Sequence, residues 1–166
     1  SGNELKYLHR AFEENYIAPI GTNINEFNSN IKSKFSLENG ILVSSGTAAL
    51  HLALLSLNIK DKDVILCQSL TFAASAFPIS YLGAIPVFIG SDETWNLSPE
   101  YLIRAIEYCF KENLKVRAVI AVNLYGICPK YQELREICNN YGITLIEDAA
   151  ESVGSRYKNQ SPCVSS

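Results

Sequence analysis

The chain has 166 residues, 48% of them hydrophobic and 19% charged, with a formal net charge of −3. That is the length of one domain with enough apolar material for a core. The charge balance gives no footing for nucleic acid or an anionic membrane as partner. No apolar run approaches the roughly 20 residues of a membrane span, and the polar N-terminus has no apolar stretch of the signal-peptide kind. The cysteines at 67, 109, 128, 138 and 163 form no Cys-x-x-Cys pair. They read as reduced thiols of a cytoplasmic protein, and with only His9 and His51 beside them no metal site is expected.

Residues 1–40 are polar and Asn-rich and form an N-terminal arm. Leu5, Leu8 and Phe12 stand at helical spacing, Phe27, Ile31 and Phe35 less cleanly, and Ile17 to Gly21 with its proline reads as an extended turn. From residue 41 the pattern turns regular. Short apolar runs predict strands over 41–44, 64–67, 85–89, 116–122 and 143–146. Between them lie predicted helices over 47–57, 71–82, 99–110 and 131–141. Ser98 suits the N-cap of the third helix, Pro99 its first position and Glu100 its first turn. Leu102, Ile106 and Phe110 then form its inward face. Leu134, Ile137, Cys138 and Tyr141 form the inward face of the fourth helix, with Gly142 closing it. Continuous apolar strands alternating with helices predict an α/β fold, a largely parallel sheet between two helical layers, with strands buried on both faces. Ligands of such sheets bind beyond the C-terminal strand ends.

At those ends the residues carry chemistry. Ser44-Ser45-Gly46-Thr47-Ala48 opens a helix directly. It is either a phosphate cradle of backbone N–H groups at the positive helix end or an ordinary capped helix start. Phe72 follows the second predicted strand and either stacks on a flat ring or belongs to the core. Asn123-Leu-Tyr-Gly126 follows the fourth, with Asn123 and Tyr125 able to hydrogen-bond. Glu147-Asp-Ala-Ala-Glu151 follows the fifth. Its crowded carboxylates need a metal, a cationic ligand group or solvent between them.

Taken in order, six segments resemble the DegT/DnrJ/EryC1/StrS sugar aminotransferases of pyridoxal-phosphate fold type I. They are Gly2-Asn-Glu-Leu with Tyr16-Ile-Ala-Pro-Ile-Gly21, Ser44 through Leu54, Thr71-Phe72, Gly83-Ala-Ile-Pro-Val87, Asn123-Leu-Tyr-Gly126 and Glu147-Asp-Ala-Ala-Glu-Ser152. The resemblance implies a pyridoxal 5′-phosphate cofactor. Gly46, Thr47 and Ala48 would hold its phosphate, Phe72 would stack on its ring, and Asp148 would pair with the pyridine nitrogen. Glu151 and Asn123 would stand near the remaining ring groups. It further implies transfer of an amino group from glutamate to a nucleotide-linked keto sugar by a homodimer. Gln68, where a proline is common, and Asn123, where many relatives have His, depart from the family pattern.

Family members are longer. They continue to a Ser-x-x-x-x-Lys motif whose lysine carries the cofactor as a Schiff base, whereas here no lysine follows Lys158 and the chain ends Ser161-Pro-Cys-Val-Ser-Ser166. The expectation is therefore a truncated large domain (residues 41–166) without the C-terminal small domain. It would have no catalytic lysine, weak or no hold on the cofactor, and an exposed apolar surface that drives oligomerisation. Two other readings stay open: a non-catalytic cofactor-binding or oligomeric remnant, and an unrelated nucleotide-binding α/β domain. The second lacks a Gly-rich fingerprint after its first strand.

Overall fold

The structure, a computed structural model, describes residues 1–158. The chain divides into two compact units, Ser1–Leu42 and Val43–Ser166.

The first unit is two helices, α1 (Glu4–Glu13) and α2 (Thr22–Phe35). The intervening turn carries a single antiparallel bridge, Ala18 to Ile20. Polar contacts join the helices: Arg10 grips Glu26 through two guanidinium nitrogens at 3.1 and 2.8 Å, and the Asn23 amide donates to the Tyr7 carbonyl at 3.0 Å. The Arg10 partnership holds the Glu26 carboxyl below its usual range. Leu5, Leu8 and Phe12, the apolar stripe read from the sequence, are all exposed.

The second unit holds a four-stranded parallel sheet: β1 (Val64–Gln68), β2 (Ile85–Ile89), β3 (Val116–Val122) and β4 (Thr144–Asp148), in spatial order β2-β1-β3-β4. Four helices cover it: α3 (Gly46–Ser56), α4 (Phe77–Tyr81), α5 (Pro99–Lys111) and α6 (Tyr131–Tyr141). The two-residue strand period sorts the core into two layers. Val64, Leu66, Val119 and Ala121 pack with Leu102, Ile106, Leu134 and Cys138 of α5 and α6. Ile65, Cys67, Ala118, Ile120 and Val122 pack with Leu50, Leu54 and Ile79 of α3 and α4. The architecture is α/β/α, and each fully buried aliphatic side chain contributes roughly 1.5–3 kcal/mol.

Local signals read correctly where they were strongest. The Ser98 hydroxyl accepts from the Tyr101 amide at 3.3 Å to open α5. Gly142, at φ +66°, ends α6 in the left-handed region, where glycine carries no Cβ penalty. Four readings need correction. Residues 41–44 are not a strand: Ile41 is 77% exposed, and no strand among the described residues pairs with the run. An apolar run becomes a strand only by acquiring a ladder partner. The helix expected over 71–82 splits into a 3₁₀ turn, Ala73–Ser75, and the short α4, because Pro78 favours the first turn of a helix and cannot sit inside one. Phe110 is half-exposed against Tyr141, and Cys109 fills the inward position beside Ile106. Only the two inner strands, β1 and β3, are buried nearly throughout; β2 and β4 are edge strands.

The N-terminal ends of β1 and β3 are tied by Asp63, 5% exposed. Its carboxylate accepts from the Lys60 amide at 2.9 Å and from Arg117 at 3.1 Å, while Arg117 also donates to the Leu57 carbonyl at 3.0 Å. Removing Asp63 leaves the Lys60 amide and the partly buried Arg117 guanidinium without their shared acceptor. Asp63→Ala is expected to cost about 3 kcal/mol in urea unfolding. A loss below about 0.5 kcal/mol, the level of an exposed surface pair, would contradict this role.

Candidate cofactor site at the sheet rim

At the C-terminal rim of the sheet lies a cavity of about 370 Å³. Its wall includes Ser45, Gly46 and Thr47 from the start of α3, Thr71, Phe72 and Ser75 from the segment after β1, Val122 and Leu124 at the end of β3, and Asp148 and Glu151 at the end of β4. The turn before α3 and the β4 carboxylate therefore share one cavity.

The start of α3 follows from its residues. Ser45 is extended (φ −161°, ψ 161°), and its hydroxyl accepts from the Ala48 amide at 3.1 Å, while its carbonyl accepts from the Ala49 amide at 3.0 Å. A helix start leaves its first amides without intrahelical acceptors. Among the described residues Gly46 and Thr47 find none, so two N–H groups stand at the positive end of the helix. A Cβ on Gly46 would meet nothing within 4 Å, so the space over the turn is open. Ala48, the third residue read as a phosphate contact, spends its amide on Ser45 and does not line the cavity.

Phe72 is 81% exposed on the cavity wall, which removes the core reading. Its extended backbone leads into the Ala73–Ser75 turn. Asp148 is the last residue of β4 and shares the α3/α4 face with Ile146. Its carboxylate accepts from the Ser75 hydroxyl at 3.1 Å and, more weakly, from the Ala150 amide at 3.3 Å. Beneath it, burial first and the Asp148 charge second push the Cys67 thiol up to about 12, so that thiol is neutral at physiological pH.

The three acidic residues at the end of β4 and just beyond it, Glu147, Asp148 and Glu151, do not act together. Glu147 faces the opposite side of the sheet, where Asn123 donates to it at 2.8 Å. Burial holds the Glu147 carboxyl above its ordinary range, although Asn123, Tyr131 and the Arg135 charge work the other way. Glu151 does line the cavity, and its carboxylate accepts from the Tyr125 amide at 2.6 Å.

Asn123 is fully buried and lies outside the cavity wall. Its side-chain nitrogen donates to Glu147 and to Ser152, the latter at 2.6 Å, and its oxygen accepts from Tyr131 at 2.7 Å. Both amide protons and one oxygen lone pair are spent inside the protein. The same economy governs Gln68, which accepts from the Leu97 amide at 3.0 Å and donates to the Leu70 carbonyl at 2.8 Å. It also governs Asn96, which accepts from the Leu124 amide at 3.1 Å. These amides brace the rim.

Sequence reading missed Ser75. Its only signal was a hydroxyl four residues after Thr71, indistinguishable from the helix then expected there. The wall contains no lysine; Lys158 is exposed and donates to Gln132. No cluster of three potential metal ligands occurs among the described residues. The tail from Ser161, including Cys163, lies outside the described residues.

The profile of the DegT/DnrJ/EryC1/StrS aminotransferase family matches residues 1–164. EpsN of Bacillus subtilis is 47% identical over 95% of this chain and 41% of its own length. GDP-perosamine synthase of Escherichia coli O157:H7 is 35% identical over 95% of this chain and 42% of its own. The chain thus spans about two-fifths of the length of the curated relatives it matches. A crystal structure of a DegT DnrJ EryC1 StrS aminotransferase from Brucella abortus superposes with a TM-score of 0.85 at 32% identity, covering 88% of this chain and 39% of that one. Profile, sequence identity and superposed fold agree: this chain belongs to the DegT/DnrJ/EryC1/StrS aminotransferase family.

Proposed function

We propose that the chain carries the pyridoxal-phosphate-holding part of an aminotransferase that moves an amino group from glutamate to a nucleotide-linked keto sugar. The observation that carries this reading is the single cavity shared by the Gly46-Thr47 amides, Phe72 and Asp148. The residues present suit the cofactor. Two unspent amides at a helix N-terminus match a phosphate dianion, an exposed aromatic face matches a planar ring, and a carboxylate matches a protonated ring nitrogen. When bound, the cofactor supplies an electron-withdrawing ring. In this reading Gly46 and Thr47 bind and orient the phosphate, Phe72 covers one ring face, and Asp148 holds the proton on the ring nitrogen. The substrate class is supported by a relative named for a GDP-linked sugar.

The lysine-free wall bears on what these residues do by themselves. The cavity binds and orients, and the covalent link and proton shuttling of transamination need a lysine that its wall does not contain. The 166-residue chain alone is therefore proposed to bind the cofactor reversibly and not to turn over glutamate. Self-association belongs to the same proposal: Phe72, Trp95, Tyr125 and Ile127 are all more than half exposed around the rim. A reducing, cytoplasmic setting fits the buried free thiols of Cys67, Cys109 and Cys138. No helix among the described residues is long and apolar enough to cross a membrane.

Calorimetric titration with pyridoxal phosphate is expected to give saturable binding that Asp148→Ala weakens at least tenfold, the loss of a charge-assisted contact. Equal affinity in the variant would remove Asp148 from the site. Borohydride treatment followed by peptide mapping is expected to leave the cavity segments unmodified, with no turnover of glutamate; a cofactor fixed to one of them would contradict the reversible mode. Light scattering at micromolar concentration is expected to show an oligomer, and a monomer would refute the self-association.

A further inference from the structure

Asp148 does not stand alone in the cavity. Ser75, 1% exposed, places its hydroxyl 3.1 Å from one Asp148 oxygen and 3.0 Å from the Thr71 hydroxyl. The direction of this chain follows from the proton inventory. An ionised carboxylate only accepts, so Ser75 donates to Asp148. A hydroxyl has one proton, so Ser75 has none left for Thr71. Thr71 therefore donates to Ser75. The three groups form a one-way relay from Thr71 through Ser75 to Asp148.

The relay and the aromatic wall come from one short element. Phe72 precedes the Ala73–Ser75 turn, and the Ser75 amide donates to the Phe72 carbonyl at 3.1 Å. The group proposed to face the ring and the group that holds the carboxylate are thus three residues apart on a single turn. The Ser75 contact fixes one Asp148 oxygen, and the Ala150 amide at 3.3 Å touches the other. The carboxylate is left with a defined orientation and a free lone pair on the cavity side. The titratable groups near it are Glu151 on the following turn, Glu147 and the buried Tyr131 phenol on the opposite side of the sheet, and the buried Cys67 thiol on β1.

We propose that Ser75, oriented by Thr71, is a positioning residue for the carboxylate that pairs with the cofactor's pyridine nitrogen. The proposal rests on the cofactor reading above and adds to it a named residue acting through Asp148.

The test uses the 166-residue chain and ¹⁵N-labelled pyridoxine 5′-phosphate, which has no aldehyde for lysines to capture. In the unsubstituted chain the bound pyridine nitrogen is expected to resonate as a protonated pyridinium at neutral pH. Ser75→Ala is expected to bind about fivefold more weakly, the worth of one hydrogen bond, and to move the ¹⁵N signal toward unprotonated pyridine. Thr71→Val is expected to move it the same way by less. Ser75→Thr, which keeps the hydroxyl, is expected to restore the pyridinium signal. A structural role alone would change thermal stability or affinity without moving the ¹⁵N position. A bound Ser75→Ala complex with an unmoved signal would overturn the proposal and leave the cofactor reading intact. No bound signal in the unsubstituted chain, or one already at the unprotonated position, would overturn both.

Discussion

The site depends on the two-residue period of one edge strand. In β4, Glu147 and Asp148 must point to opposite faces of the sheet. One carboxylate enters the cavity beside α3, and its neighbour is drawn into the buried cluster of Asn123 and Tyr131 on the α6 side. A shift of register by one residue would exchange them. The pairing of β4 with β3, Val122 opposite Asp148 and Ala121 opposite Glu147, is what excludes that exchange.

Holding two acids so close in sequence but apart in space has a structural consequence. The strand ends leave backbone groups without ladder partners, and burying them unsatisfied costs about 1–3 kcal/mol each. Gln68 and Asn96 meet this need with side-chain amides, which both donate and accept, while the Asn123 amide joins the side chains of Glu147, Ser152 and Tyr131. Each is completely buried, and each links separate rim segments. The rim is thus braced from behind by neutral amides, while Asp148 and Glu151 stand on its open side. That arrangement suits a ligand carrying a dianion at one end and a cationic ring nitrogen at the other. The helix start provides positive potential near Gly46, and Asp148 provides negative charge across the cavity.

The sheet was legible because the inner strands are unbroken apolar runs and the helices carry strong end signals, Ser98-Pro99 and Gly142. Residues 41–44 misled because apolarity reports a wish for burial and not the presence of a pairing partner. The segment 71–82 misled because Pro78 stands in the first turn of the short α4 and so cannot lie in the middle of one long helix. Among the proposed site residues, Phe72, Asp148 and Glu151 were selected by nearness to the end of an apolar run and Gly46 and Thr47 by a small-residue turn that opens a helix, with their roles carried by the family resemblance. Such signals cannot tell which polar groups are already bonded, so they also selected Asn123 and Ala48, whose side-chain amide and backbone amide are used internally. Ser75 was invisible for the opposite reason: its importance lies in a contact with a residue 73 positions away.

One cavity is proposed to receive both ends of a phosphorylated pyridine. A crystal structure of the chain soaked with pyridoxine 5′-phosphate tests this most directly. The phosphate is expected on the Gly46 and Thr47 amides, the ring against Phe72 and the ring nitrogen on Asp148. Density for the phosphate at the α3 start with the ring nitrogen turned away from Asp148, or for the ligand outside this cavity, would contradict it.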